Sequence, residues 1–355
     1  MLWTAERPDA LAAIRVDLGA IFVSIELSKS TWLITALSPG KLYPLVVIHE
    51  AGLDGFWIDR VLRREDWIES HIVDAASIAV SRRYRRAKTD RIDGEALIRT
   101  LMAYKRGEPR VCSMVRVPSP EEEDRRRISR ERKVLIAERT LHVNRLKGLL
   151  FSQGIRDYEP LRRDRRERLE ELRSGDGRTL TIYLKAQIRR ELDRLELIIE
   201  QIKAVEAERD AVLVAEQAGE PAPTAMLVGI KGIGPEFAAI LHSEGFFRNF
   251  DSRRQVAAYA GLAPTPWRSG SIDREQGVSK AGNPRLRTTM IQLAWLWLRH
   301  QSGSALTRWF HDRVAHKGGR MKKSTIVALA RKLLVVLWKY VTFGIAIEGA
   351  VMKVG

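Results

Sequence analysis

Apolar positions change their period along this chain, and the changes divide it into three stretches. In the first, "AIFVSIELS" and "STWLITALS" are short runs rich in β-branched residues, separated by almost nothing. Such runs predict adjacent antiparallel strands. "YPLVVIHEAG" is a continuous apolar run ending in polar residues, which suits a buried strand. "GFWIDRVLRRE" takes helical spacing at Phe56, Val61 and Leu62, and "ESHIVDA" returns to a strand. Helical spacing resumes in "RIDGEALIRTLMAY" at Ile92, Leu97, Leu101 and Tyr104.

From Pro118 the pattern lengthens. "PSPEEEDRRRISRERKVLIAERTLHVNRLKGLLFSQG" opens on proline and acidic residues, the chemistry of a helix start, and continues as one long charged helix. A second helix is expected over roughly 181–215, where Ile188, Leu192, Leu195, Ile199 and Ile202 recur with four-three spacing. The pair reads equally as an antiparallel coiled-coil arm or as a plain helical linker packed on its own domain. "AGEPAPT" (218–224) is the clearest linker, and the remainder reads as a compact all-α domain. The expected organisation is an α/β domain over 1–117, a helical arm over 118–217 and a helical C-terminal domain over 218–355.

Charge narrows the function. The 355 residues carry 61 Lys and Arg against 44 Asp and Glu, a formal charge of +17. That excess favours a nucleic-acid partner over a small metabolite. The apolar run "TIVALARKLLVVLWKYVTFGIAIEGAVM" is broken by Arg331, Lys332 and Lys339. A spanning helix needs about 20 apolar residues, so this run is expected to be a buried core helix and no membrane partner is expected. Cys112 is the only cysteine, which excludes a disulfide framework and a cysteine-based zinc site. The N-terminus lacks a secretory pattern, and the expected compartment is the cytoplasm, at the nucleoid when acting.

Three clusters carry candidate chemistry. "RRYRRAKTDRIDGEALIRT" places Arg82, Arg83, Arg85, Arg86 and Lys88 just before Asp90 and Asp93. Glu26 follows the first strand and Glu50 closes the later apolar one. Carboxylates at the ends of adjacent strands, joined by two from a helix one turn apart, can converge on Mg²⁺ or Mn²⁺ for phosphoryl transfer. Each alone is weak evidence, since a lone acidic residue is more often a solvated charge or, for Asp90, a helix cap; the set together is what raises the metal reading.

"MLVGIKGIGPEFAAILHSEG" fits a helix-hairpin-helix pattern, in which Gly232 and Gly234 permit a tight turn and expose N–H groups to a DNA phosphate. A structural hairpin without ligand is the alternative. "YAGLAPTPWRSGSIDREQGVSKAGNPRLRTT" then mixes Ser269, Ser271 and Ser279 with Arg268, Arg274, Lys280, Arg285 and Arg287. On composition this is a phosphate-binding loop; a hydroxyl among guanidinium groups can also attack a phosphodiester.

The segments "FVSIELSKSTWLITALSPG", "HEAGLDGFW", "RRAKTDRIDGEAL" and "GLAPTPWRSGSIDREQGVSKAGNPRLR" resemble, in matching order, the DEDD transposases of bacterial insertion sequences, the family that includes the Piv invertase. The resemblance implies an N-terminal RuvC-like (RNase H-type) domain, a coiled-coil arm and a C-terminal transposase domain. It implies DNA recombination guided by a structured RNA from the element, in a homo-oligomer such as a dimer or tetramer. Its tetrad falls on Glu26, Glu50, Asp90 and Asp93, and its nucleophilic serine on Ser269. Glu26 stands where the family name promises Asp; Asp17 is the other acidic residue nearby. An RNase H-type sheet also needs a third antiparallel strand and a helical crossover, which takes a dozen or more residues. Between Ser38 and Leu45 only "PGKLYP" is available. Either the strands pair unusually or a segment has been lost, and the activity of this copy turns on which. The rival readings are a catalytically impaired nucleic-acid-binding remnant of such a transposase and a RuvC-like junction nuclease that uses the carboxylates alone.

Overall fold

The structure is a computed structural model that describes residues 20–27, 32–37, 44–52, 55–78, 90–109, 111–217, 222–269, 272–317 and 321–353. Its chain divides into two compact units, Met1–Ser119 and Pro120–Gly355.

The first unit holds a four-stranded mixed sheet of β1 (Ile21–Leu27), β2 (Trp32–Leu37), β3 (Leu45–Glu50) and β4 (Ile68–Val73) in the order β2-β1-β3-β4. β1 pairs antiparallel with β2, as the two adjacent β-branched runs predict, and parallel with β3, which pairs parallel with β4. Because β2 runs back to the start of β1, residues 38–44 need only step across one strand to begin β3. No helical crossover is required. Two helices cover the sheet, α1 (Gly55–Leu62) and α2 (Asp90–Lys105).

Strand alternation sends successive residues to opposite faces. Phe22, Val46 and Ile48 pack with Leu97, Ile98, Leu101 and Met102 of α2. Val23, Ile25 and Val47 form a second cluster with Leu62 of α1. β3 is buried on both sides, which explains its unbroken apolar run. The buried face of α2 is shifted slightly from the sequence pattern: Leu97 and Leu101 are buried, whereas Tyr104 is 40% exposed.

The second unit begins with α3 (Pro120–Phe151), the short α4 (Arg165–Glu171) and α5 (Ile182–Gln217). α3 and α5 form an antiparallel hairpin, with Ile188, Leu192 and Leu195 packed against Leu146 and Leu150, and Ile198 and Ile202 against Leu135. Ion pairs tie the same helices: Arg125–Glu216 at 2.8 Å, Arg132–Glu206 at 2.6 Å and Arg145–Glu191 at 3.1 Å. Near the far end, Arg165 and Arg166 both reach Glu196.

These pairs set an acid limit. Hydrogen bonds from Arg166 hold the Glu196 carboxyl below its ordinary value. Burial pushes Glu191 upward, but hydrogen bonds with His142 and Arg145 outweigh it and the net direction is down. A carboxyl depressed on folding contributes stability that is complete above its unfolded value near 4.5 and lost as pH falls through the folded value. Thermal melts are therefore expected to show a constant midpoint near neutrality and a falling one below about pH 4.5. A midpoint flat down to about pH 3 would contradict these assignments.

Further α-helices among the described residues are α6 (Pro223–Val228), α7 (Pro235–Leu241), which runs on into a π-helical turn at His242–Phe246, α8 (Arg253–Tyr259), α9 (Pro284–His300), α10 (Ala305–Lys317) and α11 (Lys322–Phe343). Leu227, Ile230, Leu241, Met290, Leu293, Trp297, Leu333 and Leu337 are fully or almost fully buried in one core. α11 is the expected core helix, and among the described residues no helix is long and apolar enough to cross a membrane.

One expectation is corrected. The C-terminal stretch is not all-α, because β5 (Pro264–Ser269) and β6 (Ile272–Val278) form an antiparallel hairpin between α8 and α9. Pro264 and Pro266 remove helix donors and force extended backbone before them.

Candidate catalytic and nucleic-acid-binding sites

β1 and β3 run parallel with Ile25 opposite His49, so Glu26 and Glu50 occupy the next rung, at the C-terminal ends of neighbouring strands. Adjacent strands lie about 4.8 Å apart. Glu26 shares a face with Phe22 and Ser24, and Glu50 with Val46 and Ile48, which is the face that packs on α2. Glu26 is half-buried and Glu50 is exposed.

α2 delivers its first turn to that face. The Ser24 hydroxyl donates to the Gly94 carbonyl at 2.9 Å, two residues before Glu26 on the strand and one after Asp93 on the helix. Gly94 is required for this seat, since a Cβ there would stand 2.6 Å from Thr35 Oγ1. Asp93 is half-buried, and Asp90 is the first residue of the helix. The first turn of α2 is thus brought to the sheet face that carries Glu26 and Glu50. Among the described residues no three Asp, Glu, His or Cys side chains are drawn into liganding geometry, and the side chain of Asp90 lies outside them. Arg82, Arg83, Arg85, Arg86, Lys88 and Asp17 also lie outside the described residues.

Sequence reasoning missed a polar group on the opposite face. His49 is fully buried, with Nε2 3.4 Å from Ser70 Oγ, and burial lowers its pKa. Asp59 is also buried and pairs with Arg63 at 2.7 Å. A histidine at an inward position of an apolar strand was the available signal. Its surroundings fit a neutral imidazole that braces α1 on the sheet.

In the second unit, α6 and α7 are joined by a turn through Gly232 and Gly234. Gly232 has φ +92°, and a Cβ on it would meet His300 Cβ at 2.8 Å. The turn is held from within: Gln301 Nε2 donates to the Lys231 carbonyl at 2.7 Å and Lys353 Nζ to the Ile233 carbonyl at 2.9 Å. Gly234 caps α7, with open space where a Cβ would be.

Ser269 ends β5, opposite Ile272, and Arg268 lies opposite Asp273. The side chains of Arg268, Ser269 and Arg274, and all of Ser271, fall outside the described residues. Beyond the hairpin Ser279 and Lys280 are exposed. Lys280 adopts φ +57°, an uncommon left-handed conformation for a side-chain-bearing residue. Its carbonyl accepts from Arg287 Nη1 at 2.7 Å. Arg285 is turned inward toward the buried Glu244, 3.6 Å away, and burial lowers its pKa. Asn283 caps α9 by accepting from the N–H groups of Arg285 and Leu286, while its Nδ2 donates to Glu244 Oε2 at 3.0 Å.

This bend depends on Gly282, at φ +102°, whose added Cβ would lie 2.3 Å from the Tyr259 carbonyl oxygen. Gly282→Ala combines a disfavoured backbone with a backbone clash, and should destabilise the protein by about 3 kcal/mol. For a unit of this size the melting midpoint would fall by about 6–12 °C. A midpoint shifted by less than about 2 °C would show that the bend yields easily.

Comparison with known proteins gives the family. Residues 224–309 match the model of the Transposase IS116/IS110/IS902 family. The chain is 64% identical over 396 aligned positions to a protein of Sinorhizobium fredii named as a transposase, y4rJ, covering 99% of this chain and all of that one. It is 28% identical to the transposase for insertion sequence element IS1111A of Coxiella burnetii, over 72% of this chain and 67% of that protein. It is 33% identical to the pilin gene-inverting protein of Moraxella bovis, over 31% of this chain and 34% of that one. The chain belongs to the IS116/IS110/IS902 family of insertion-sequence transposases.

The 396 aligned positions outnumber the chain's 355 residues, so roughly 40 positions of the Sinorhizobium protein stand opposite internal gaps in this one.

Proposed function

We propose that the chain breaks and rejoins DNA with two sets of groups: a carboxylate cluster of Glu26, Glu50, Asp90 and Asp93, and the hydroxyl of Ser269. The observation that supports this reading is that Glu26 and Glu50 each follow the paired Ile25 and His49 by one residue, on the face that packs on α2, whose first turn carries Asp90 and Asp93. An all-oxygen donor set of this kind suits Mg²⁺ or Mn²⁺. When bound, the ion would neutralise charge developing on the phosphate oxygens.

Ser269 Oγ would attack phosphorus, forming a serine–phosphate ester as the bond to one deoxyribose oxygen breaks. The serine proton passes to a neighbouring carboxylate or to water, and the leaving oxygen takes a proton in turn. Arg268, next to the serine in the chain, and Lys280, beyond the hairpin, would stabilise the added negative charge. Attack by a deoxyribose hydroxyl on the ester reverses the step and joins the new strand. The backbone around Gly232 and Gly234 would hold a phosphate without reading bases, and Arg82, Arg83, Arg85, Arg86, Lys88 and Arg287 would add to backbone attraction, whereas Arg285 is engaged by Glu244. On this reading the sheet is a RuvC-like core lacking one strand and its crossover helix, α3 and α5 are a coiled-coil arm, and the chain works as a homo-oligomer guided by an RNA from its element.

A second reading has its own observation. The roughly 40 positions opposite gaps in this chain fit a loss between β2 and β3, where the connection is short. A copy so shortened would bind nucleic acid without cutting it. Strand exchange on the element's DNA ends with its flanking RNA separates the readings. Recombined product with protein–DNA adducts supports the recombinase. Cleavage without adducts points to a carboxylate nuclease, and binding without cleavage in any metal to the impaired copy.

A further inference from the structure

The chain's net charge is unevenly spent. Residues 120–217 carry 23 Lys and Arg against 21 Asp and Glu, and many of those cations are already paired along α3 and α5. Residues 218–355 carry 20 Lys and Arg against only 8 Asp and Glu. Most of the +17 therefore resides in the helical body that bears the serine hairpin, where carboxylates are too few to neutralise it.

Part of that excess surrounds a groove of about 730 Å³ between α8 and α11. Arg253 and Arg254, from the first turn of α8, stand on one wall, and Arg331 and Lys332 of α11 on the other. Among the described residues no carboxylate lies within ion-pair distance of any of the four. Lys332 instead sits 4.7 Å from the centre of the Trp309 ring. Two arginines in the first turn of a helix oppose its macrodipole, which favours anions there. The rest of the lining is aliphatic, with Ala257 and Val335 in it. Pro264, the first residue of β5, also lines the groove.

We propose that this groove binds an unpaired strand of DNA beside the point of breakage, its phosphates on Arg253, Arg254, Arg331 and Lys332 and its bases on the aliphatic lining. Charge complementarity selects a polyanion. The volume falls in the range that encloses a single small ligand, roughly 300–1,000 Å³, which admits one or two nucleotides and not a duplex. An apolar lining among cations suits a strand whose base faces are exposed, since a paired backbone would offer that lining only phosphates. The connection to the hairpin favours DNA as the occupant. β5 leads from the groove at Pro264 to Ser269 over six residues, roughly 17 Å. A strand in the groove would thus reach the serine within a few nucleotides. This last step rests on the reading of Ser269 as the nucleophile.

The test is fluorescence anisotropy of the full-length protein with a labelled 12-nucleotide single-stranded DNA, in EDTA so that no cleavage enters the reading. Arg253→Ala/Arg254→Ala alters two exposed side chains, and Arg331→Ala/Lys332→Ala probes the other wall; thermal melts check that both variants fold. Each double variant is expected to weaken binding at least about tenfold and to make the slope of log affinity against log salt shallower by about 1.4, from about 0.7 per phosphate. A 4-thiothymidine in the strand is expected to cross-link to peptides of α8 or α11. Unchanged slopes in both variants, or cross-links only elsewhere, would overturn the proposal. So would an RNA of the same sequence binding more tightly and alone losing affinity in the variants. A duplex weakened as much as the single strand would overturn the groove in favour of a broad charged surface. If the groove behaves as expected while no adduct ever forms on Ser269, the nucleophile reading fails and the DNA-binding groove stands.

Discussion

Ser269→Ala should abolish protein–DNA adducts and reduce strand exchange by about a thousandfold or more, while leaving DNA affinity within about twofold. The magnitude follows from the role: a nucleophile that forms a covalent intermediate has no substitute in alanine, and water in its place yields hydrolysis instead of exchange. The side chain removed is one hydroxyl near a hairpin turn, so the fold has little reason to change. Gel analysis of denatured reaction mixtures reads adducts directly. Adducts persisting in Ser269→Ala would move the nucleophile elsewhere. Ser271→Ala and Ser279→Ala are then the informative comparisons, since both serines lie within ten residues along the chain.

Asp93→Asn is expected to lower metal-dependent cleavage by at least about a hundredfold. Loss of groups that merely orient metal ligands commonly costs 10–100-fold, and loss of a ligand should cost no less. Asparagine preserves the shape and one oxygen but removes the charge that holds a hard cation. Asp93 is half-buried in the first turn of α2, with Gly94 seated on Ser24. Helix position should therefore be unchanged, and circular dichroism should match the parent. The expected signature is a loss of cleavage that higher Mn²⁺ partly restores. Full activity in Asp93→Asn would leave Asp93 as an ordinary solvated charge of a helix start.

Much of the first unit was legible because its signals are local. β-branched runs, a short connection and a helical repeat define β1, β2, β3 and α2 without reference to distant residues. What could not be read was how β3 joins β1. The six residues "PGKLYP" looked too few for a parallel connection, yet β2 returns the chain to the right end of the sheet, and a step across β1 suffices. The face shared by Glu26, Glu50 and α2 follows from that register, which the sequence only hints at through alternation.

The second unit divides in the same way. The seam of Ile188, Leu192, Leu195 and Ile202 is plain in the sequence and buried in the structure. The β5–β6 hairpin was not foreseen, because its strands are rich in polar residues and prolines and lack an apolar alternation. Glu244 was also missed. It is buried at 4% exposure and satisfied by Arg130 and Asn283, partners 114 and 39 residues away in the chain. Long-range polar pairing of that kind leaves no periodic trace. Of the cations of the α8–α11 groove, Arg331 and Lys332 stand out in the sequence only as interruptions in an apolar run and Arg253 and Arg254 not at all, since their meeting depends on how two helices pack.

The most direct test of the account is to trap the protein on its element's DNA ends with the flanking RNA, with Mg²⁺ and with EDTA, and to map any adduct by mass spectrometry. A DNA remnant on the peptide containing Ser269, formed with Mg²⁺ and absent in EDTA, is the predicted result. No adduct under either condition, or equal adduct in both, would contradict a serine and a carboxylate-bound metal acting in one reaction.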